Sequence, residues 1–188
     1  IGDMGDVRTV KALKESVKRM EELLEVKPEI VACDMHPSYN TRAAAEEMGL
    51  PVFPVQHHYA HILSCMAENE WTTKKKVIGV SFDGTGYGTD GTIWGGEILL
   101  ADYDSFKRWG CIEPFAQTGG DASAKEGWRI AVSLLGKIYG KEIALSIIET
   151  LGLCESKLAK LQFTMEERGI NTVKSTSAGR LFDAVSAI

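Results

Sequence analysis

The chain has 188 residues, enough for one sizeable core or two smaller lobes. Its 44% hydrophobic and 25% charged content is ordinary for a soluble globular protein. The 26 acidic against 21 basic residues leave a net charge of −5, no footprint for nucleic acid or an acidic membrane, and no apolar run approaches the roughly 20 residues that span a bilayer.

No charged stretch leads into an apolar one at the N-terminus, so nothing directs the chain to secretion. Cys33, Cys65, Cys111 and Cys154 form no CxxC pair, which points to a reducing cytoplasm and buried structural thiols. The chain begins at Ile1 and stops at Ile188 within a helix-like run, so it is expected to be a piece of a longer polypeptide.

Asp6 is placed to cap a helix from about Val7 to Glu25, with Val10, Leu13, Val17, Met20 and Leu24 as one buried stripe. Pro28 breaks it, and Ile30 to Asp34 reads as a short buried strand. Asp34 ends that strand and His36 follows in the turn; ligands of open α/β sheets gather there, although loop hydrogen bonds account for both residues equally well. Asn40 is a cap for a helix from Thr41 to Met48, and Gly49 its stop. Val52–Val55 is the next strand, near an edge because of Pro54, and the histidine helix runs from about His57 to Glu70. Strand, helix, strand, helix in this order implies parallel pairing.

Lys74-Lys75-Lys76 reads as a linker, dividing a first lobe (1–74) from the start of a second (75–188). Val77–Phe82, Thr92–Asp102 and Phe106–Ile112 are strands of an antiparallel meander. The segment from Pro114 to Ser123 reads as a loop holding Gly119 and Gly120. Helices then run from about Trp128 to Gly140, Lys141 to Leu151 and Ser156 to Gly169. A stretch rich in serine and threonine, Thr172 to Gly179, leads into the last helix.

Three of the four histidines fall within five residues, and His57 and His61 share a helix face that suits one metal ion. The zinc-protease motif fails, because His58 stands where it needs glutamate. A carboxylate must complete the donor set, and Asp83 at the end of the next strand is the candidate. A metal-free histidine cluster is the plainer alternative. From Asp83 to Gly91 the chain is crowded with Gly84, Thr85, Gly86, Gly88 and Thr89, where main-chain amides can approach a phosphate. It is neither a P-loop nor a GxGxxG helix opening, and a phosphate-gripping turn between antiparallel strands is the device of actin-like ATPases. A plain hairpin is the competing account. Asp183, one turn into the last helix, is placed for ribose hydroxyls or simply as a favourable first-turn charge.

Ala32-Cys33-Asp34-Met35-His36-Pro37-Ser38-Tyr39, Val55 to His61, Phe82 to Glu97, Gly119-Gly120-Asp121 and Ser175 to Val185, with Ile1-Gly2-Asp3-Met4 ahead of them, span nearly the whole chain. In these stretches it resembles the HypF family of hydrogenase-maturation carbamoyltransferases, in a domain related to the tRNA threonylcarbamoyl-transferase family. The resemblance implies an α/β, actin-like ATPase (ASKHA) superfold, partial, with two lobes each carrying a mixed sheet flanked by helices. It implies His57 and His61 as metal ligands with Asp83 a third, the metal being divalent zinc or iron. Gly84, Thr85, Gly86, Gly119 and Gly120 become phosphate or nucleotide contacts, and Asp183 a ribose contact. His58 lies out of ligand register and, with Asp34 and His36, is left to substrate or interior.

The reaction so implied passes a carbamoyl group from ATP-derived carbamoyl adenylate to the C-terminal cysteine of a HypE-like acceptor, in cyanide-ligand synthesis for NiFe hydrogenases. Carbamoyl phosphate and ATP would enter through upstream domains that this sequence does not include, so the fragment is expected to be inactive alone. Neither nucleic acid nor membrane is expected as a partner. Rivals are an O-carbamoyltransferase of the antibiotic or nodulation type, tRNA threonylcarbamoyl transfer, and a non-catalytic nucleotide-binding module.

Overall fold

The computed structural model describes Gly2 and residues 4–188; Ile1 and Asp3 of the opening motif lie outside the described residues. The chain divides into two compact units, residues 1–60 and 61–188, and the division falls within a helix.

In the first unit, helix α1 (Val7–Leu24) starts where the Asp6 side chain accepts from the Arg8 amide at 2.8 Å. It ends at Glu25, whose φ of 52° is left-handed. The expected buried stripe is not buried. Val10, Leu13 and Val17 are half-buried, while Met20 and Leu24 are exposed. Periodicity fixes which residues share a face, but burial needs a partner, and Leu13 and Val17 instead line an open groove with Val31 and Ala44.

Strands β1 (Val31–Asp34) and β2 (Val52–Val55) pair in parallel, with Val31 opposite Val52 and Asp34 opposite Val55. Theirs is a two-stranded sheet, so Ala32 stays exposed where a buried strand was expected, and Phe53 opposite it on β2 is exposed as well. Helix α2 (Asn40–Glu46) begins after Tyr39; Asn40 does not cap it and donates to the Met4 carbonyl at 2.7 Å. Helix α3 (His57–Glu68) follows β2 directly and spans the division between the units.

The second unit opens on the expected meander, β3 (Val77–Tyr87), β4 (Ile93–Ala101) and β5 (Phe106–Cys111). Strand β3 runs beyond Asp83, which was expected to open the turn. Its register against β4 jumps between Phe82 and Gly86, so the Asp83-Gly84-Thr85 stretch is a bulge within the strand. The turn itself is later and tighter, with the Gly88 amide bonded to the Thr92 carbonyl at 2.9 Å and Gly91 at φ 75°.

Two strands escaped the sequence reading, β6 (Phe115–Thr118) in the expected loop and β7 (Thr172–Ser175) in the polar lead-in. They pair with each other antiparallel, and Ser175 sets β7 parallel to β4 at Ile93. A mixed sheet of order β3-β4-β7-β6 results, with β5 also on β4.

Helices α4 (Trp128–Tyr139), α5 (Lys141–Leu151) and α6 (Ser156–Arg168) stop at Gly140, Gly152 and Gly169. They bury Val132, Leu135, Ala144, Ile148, Ala159 and Phe163 together. Helix α7 (Ala178–Ala187) adds Ala184 to a second cluster with Phe115, Ile130 and Ala131. The fold is thus α/β, with a parallel strand pair in the first unit and helices flanking a mixed sheet in the second. Among the described residues no helix is long and apolar enough to cross a membrane. Cys65 and Cys111 are exposed and Cys33 and Cys154 half-buried, against the expectation of four buried thiols; Cys111 ends β5, and Cys65 lines an open groove beside Ile62 and Met66.

Candidate metal and nucleotide site

Helix α3 carries His57 and His61 one turn apart, so both imidazoles leave the same face. In the first unit, the parallel register brings Asp34 level with Val55, two residues before α3 begins. The first-turn imidazole therefore meets the end of β1. His57 Nδ1 lies 3.1 Å from Asp34 Oδ2, and Asp34 Oδ1 accepts from the His36 amide at 2.8 Å. His36 stacks on Tyr39 with ring centroids 4.0 Å apart, and its Nδ1 accepts from the Ser38 amide at 3.2 Å. Burial, and secondarily the Asp34 charge, push the Tyr39 phenol up. His58 is fully buried, its Nδ1 3.1 Å from the Gln56 amide nitrogen.

In the second unit, His61 Nε2 stands 3.8 Å from Asp83 Oδ2, while Asp83 Oδ1 accepts from the Gly84 amide at 2.6 Å. A gap of 3.8 Å is too long for a hydrogen bond. It matches two donors on one ion, since bonds of about 2.1 Å set their ligand atoms about 3–4 Å apart. Two imidazoles and a carboxylate are also a donor set that suits zinc or iron(II).

The seat beneath Asp83 is made of main chain. Ser177 Oγ donates to the carbonyls of Asp83 (3.2 Å) and Gly84 (2.7 Å), and the same oxygen accepts from the Arg180 amide at 3.0 Å as the cap of α7. A Cβ on Gly95 would lie 2.6 Å from the Asp83 carbonyl oxygen, and one on Gly179 would lie 2.9 Å from Gly84 Cα. Only glycine lets β4 and α7 come this close.

Among the residues expected at phosphate or nucleotide, Gly84 and Thr85 sit in the β3 bulge, and Gly86 pairs with Trp94 at its far end. Gly119 (φ 110°) and Gly120 (φ 57°) open the 3-10 turn Gly120–Ala124, and Asp183 lies on α7. Arg180 ties all three places together, and the sequence reading did not single it out. Its Nη1 donates to Asp183 Oδ2 (2.6 Å) and the Ala124 carbonyl (2.8 Å), and its Nε to the Gly84 carbonyl (3.4 Å). The available signal was a lone cation in a run of small residues, three after a serine cap.

Behind the hairpin, Glu97 is fully buried and paired to Arg108 at 2.7 and 3.1 Å, with the Thr176 hydroxyl donating to the same carboxylate. Arg108 also covers the Trp94 ring at 4.2 Å and reaches Asp90 at 3.2 Å.

Fold and donor set together define a chain of the actin-like class built around a bulged glycine strand and a histidine helix. It belongs to the HypF carbamoyltransferase family: residues 79–188 match the family described as carbamoyltransferase, Kae1-like domain, second subdomain, and residues 1–68 match the HypF Kae1-like domain. It is 38% identical over 193 residues to carbamoyltransferase HypF2 of Cupriavidus necator, covering 100% of this chain and 23% of that one. To carbamoyltransferase HypF of Rhizobium leguminosarum bv. viciae it is 36% identical over 188 residues, covering 100% and 24%. A crystal structure of full-length HypF in the phosphate- and nucleotide-bound form superposes with a TM-score of 0.88 at 37% identity, covering 100% of this chain and 24% of that one. T. kodakarensis HypF gives 0.84 at 33%, covering 99% and 26%. The chain thus spans about a quarter of the length of these relatives.

Proposed function

We propose that this chain forms the transfer centre of a hydrogenase-maturation carbamoyltransferase, passing a carbamoyl group from carbamoyl adenylate to the C-terminal cysteine of a HypE-like acceptor. The observation that carries the reading is the His61–Asp83 pair at 3.8 Å, one turn after His57, in a chain of the HypF family. His57, His61 and Asp83 would hold one divalent ion, zinc or iron(II). Once bound, such an ion supplies Lewis acidity toward a carbamoyl or phosphoryl oxygen.

The protein's own groups do the rest. Gly84, Thr85 and Gly86 on the β3 strand, Gly119 and Gly120 before the 3-10 turn, and Asp183 on α7 would contact the nucleotide. The Arg180 bonds that join these three places support one shared site. Main-chain amides there would stabilise the developing oxyanion and the departing AMP. The nucleophilic thiol comes from the acceptor, and burial pushes the Cys154 thiol up, away from thiolate. We place the reaction in the cytoplasm, with one lobe over 1–74 and the next from 75, and with ATP and carbamoyl phosphate handled by other domains. A non-catalytic nucleotide-binding module is the second reading, since Arg180 organises the nucleotide side without any metal ligand.

Elemental mass spectrometry of the untagged chain, beside a His57→Ala/His61→Ala variant, tests the metal centre. About one zinc or iron per chain, lost in the variant, is expected. Equal metal in both proteins would refute the assignment, and nucleotide affinity indifferent to metal would favour the binding module. Supplied with ATP and carbamoyl phosphate, the chain alone is expected to release no AMP.

A further inference from the structure

We propose that Asp34 is the positioning residue of the metal centre: by accepting a hydrogen bond from His57 Nδ1–H it fixes the tautomer in which Nε2 offers its lone pair to the ion. The inference rests on the metal reading above and adds a residue that would not itself touch metal or substrate.

Three features of the first unit carry it. The parallel register sets Asp34 level with Val55, so the carboxylate at the end of β1 faces the first residue of the helix that follows β2. The 3.1 Å separation of Oδ2 and Nδ1 is a hydrogen bond, and its acceptor side leaves His57 with the proton on Nδ1. The carboxylate is itself held, because Oδ1 accepts from the His36 amide at 2.8 Å and only 18% of the side chain is exposed. Both oxygens are thus committed within the unit. His61 likewise points Nε2 at Asp83, so both imidazoles would present the same nitrogen. Ligating histidines that bond a carboxylate through their second nitrogen lose about 10–100-fold in metal affinity when that partner is removed.

Asp34→Asn is the informative variant because it keeps size and shape. Its carbonyl oxygen can stay on the His36 amide, which turns the NH2 toward His57 Nδ1. An N–H donor there demands a bare Nδ1, moves the proton to Nε2 and removes the lone pair needed by the ion. The test uses zinc alone, titrated against a chelator into the parent, Asp34→Asn, Asp34→Ala and His57→Ala, with circular dichroism to confirm folding. Long-range proton–nitrogen NMR at about pH 8, where an ordinary imidazole is neutral, reads the His57 tautomer.

The expected result is an Nδ1–H tautomer in the parent, Nε2–H in Asp34→Asn, and zinc affinity lower by about 10–100-fold in both Asp34 variants. If His57→Ala loses zinc while Asp34→Asn binds within about twofold of the parent, the inference falls and the metal centre stands. An Nε2–H tautomer in the parent would overturn it equally. If the parent takes no zinc, or His57→Ala binds as the parent does, the metal reading falls and the role of Asp34 with it.

Discussion

Asp90, at the tip of the β3–β4 hairpin, shows how one side chain can hold a turn. Its Oδ1 accepts from the Thr92 amide (3.0 Å), the Thr92 hydroxyl (2.6 Å) and Trp94 Nε1 (3.0 Å), and Oδ2 faces Arg108 at 3.2 Å. Burial alone would raise this carboxyl; the bonds from Thr92 and Trp94 and the Arg108 charge outweigh it and hold it below its ordinary value. A folded pKa below the unfolded one contributes stability that is complete above the unfolded value and is lost as pH falls through the folded one. Asp90→Asn keeps the acceptor and drops the charge. It is expected to be less stable than the parent in urea at about pH 7, with the gap closing as pH falls below about 3.9. At this scale spacing along the chain places His57 and His61 one turn apart on α3, and Asp83 lies 3.8 Å from His61. The sequence read poorly where a contact crosses elements. Asp34 and His57 are 23 residues apart, and only the β1–β2 register, with Asp34 opposite Val55, would have joined them.

Among the elements, helices were the most legible, because α4, α5 and α6 combine an apolar 3.6-residue period with a glycine stop. Strands β6 and β7 were not, since Phe115–Thr118 and Thr172–Ser175 are four residues each and owe their state to pairing partners far along the chain. Strand β3 was cut short at Asp83 because glycines signal turns, whereas here Gly95 and Gly179 let β4 and α7 close on Asp83 and Gly84 within the strand. That packing yields a direct expectation. In Gly95→Ala the new methyl meets the Asp83 carbonyl and Ser177 Cα within 3 Å, so the variant should lose about 1–3 kcal/mol in urea denaturation. If the metal centre is as proposed, its metal content should fall as well. Unchanged stability would show that β4 can move away from β3 without cost.

For the whole molecule, the two units differ in how much core each commands. Among the described residues of 1–60, the buried apolar side chains are Ala44, Ala45 and Tyr59, and α1 contributes none; the second unit buries Trp94, Leu99, Ile130, Val132, Ile148 and Phe163 among others. All four tryptophans, Trp71, Trp94, Trp109 and Trp128, belong to the second unit. Fluorescence should therefore follow that unit alone and report a higher urea midpoint than far-ultraviolet circular dichroism, which follows both. Coincident transitions would mean one cooperative molecule. The Ser177 bond to Gly84, closed across 93 residues, also has a meaning in time. On a ribosome the chain emerges from its N-terminal end, so Asp83 is made long before the serine that seats it. Its bulge cannot mature as a local structure, and the carboxylate end of the site must be among the last parts of the second unit to set.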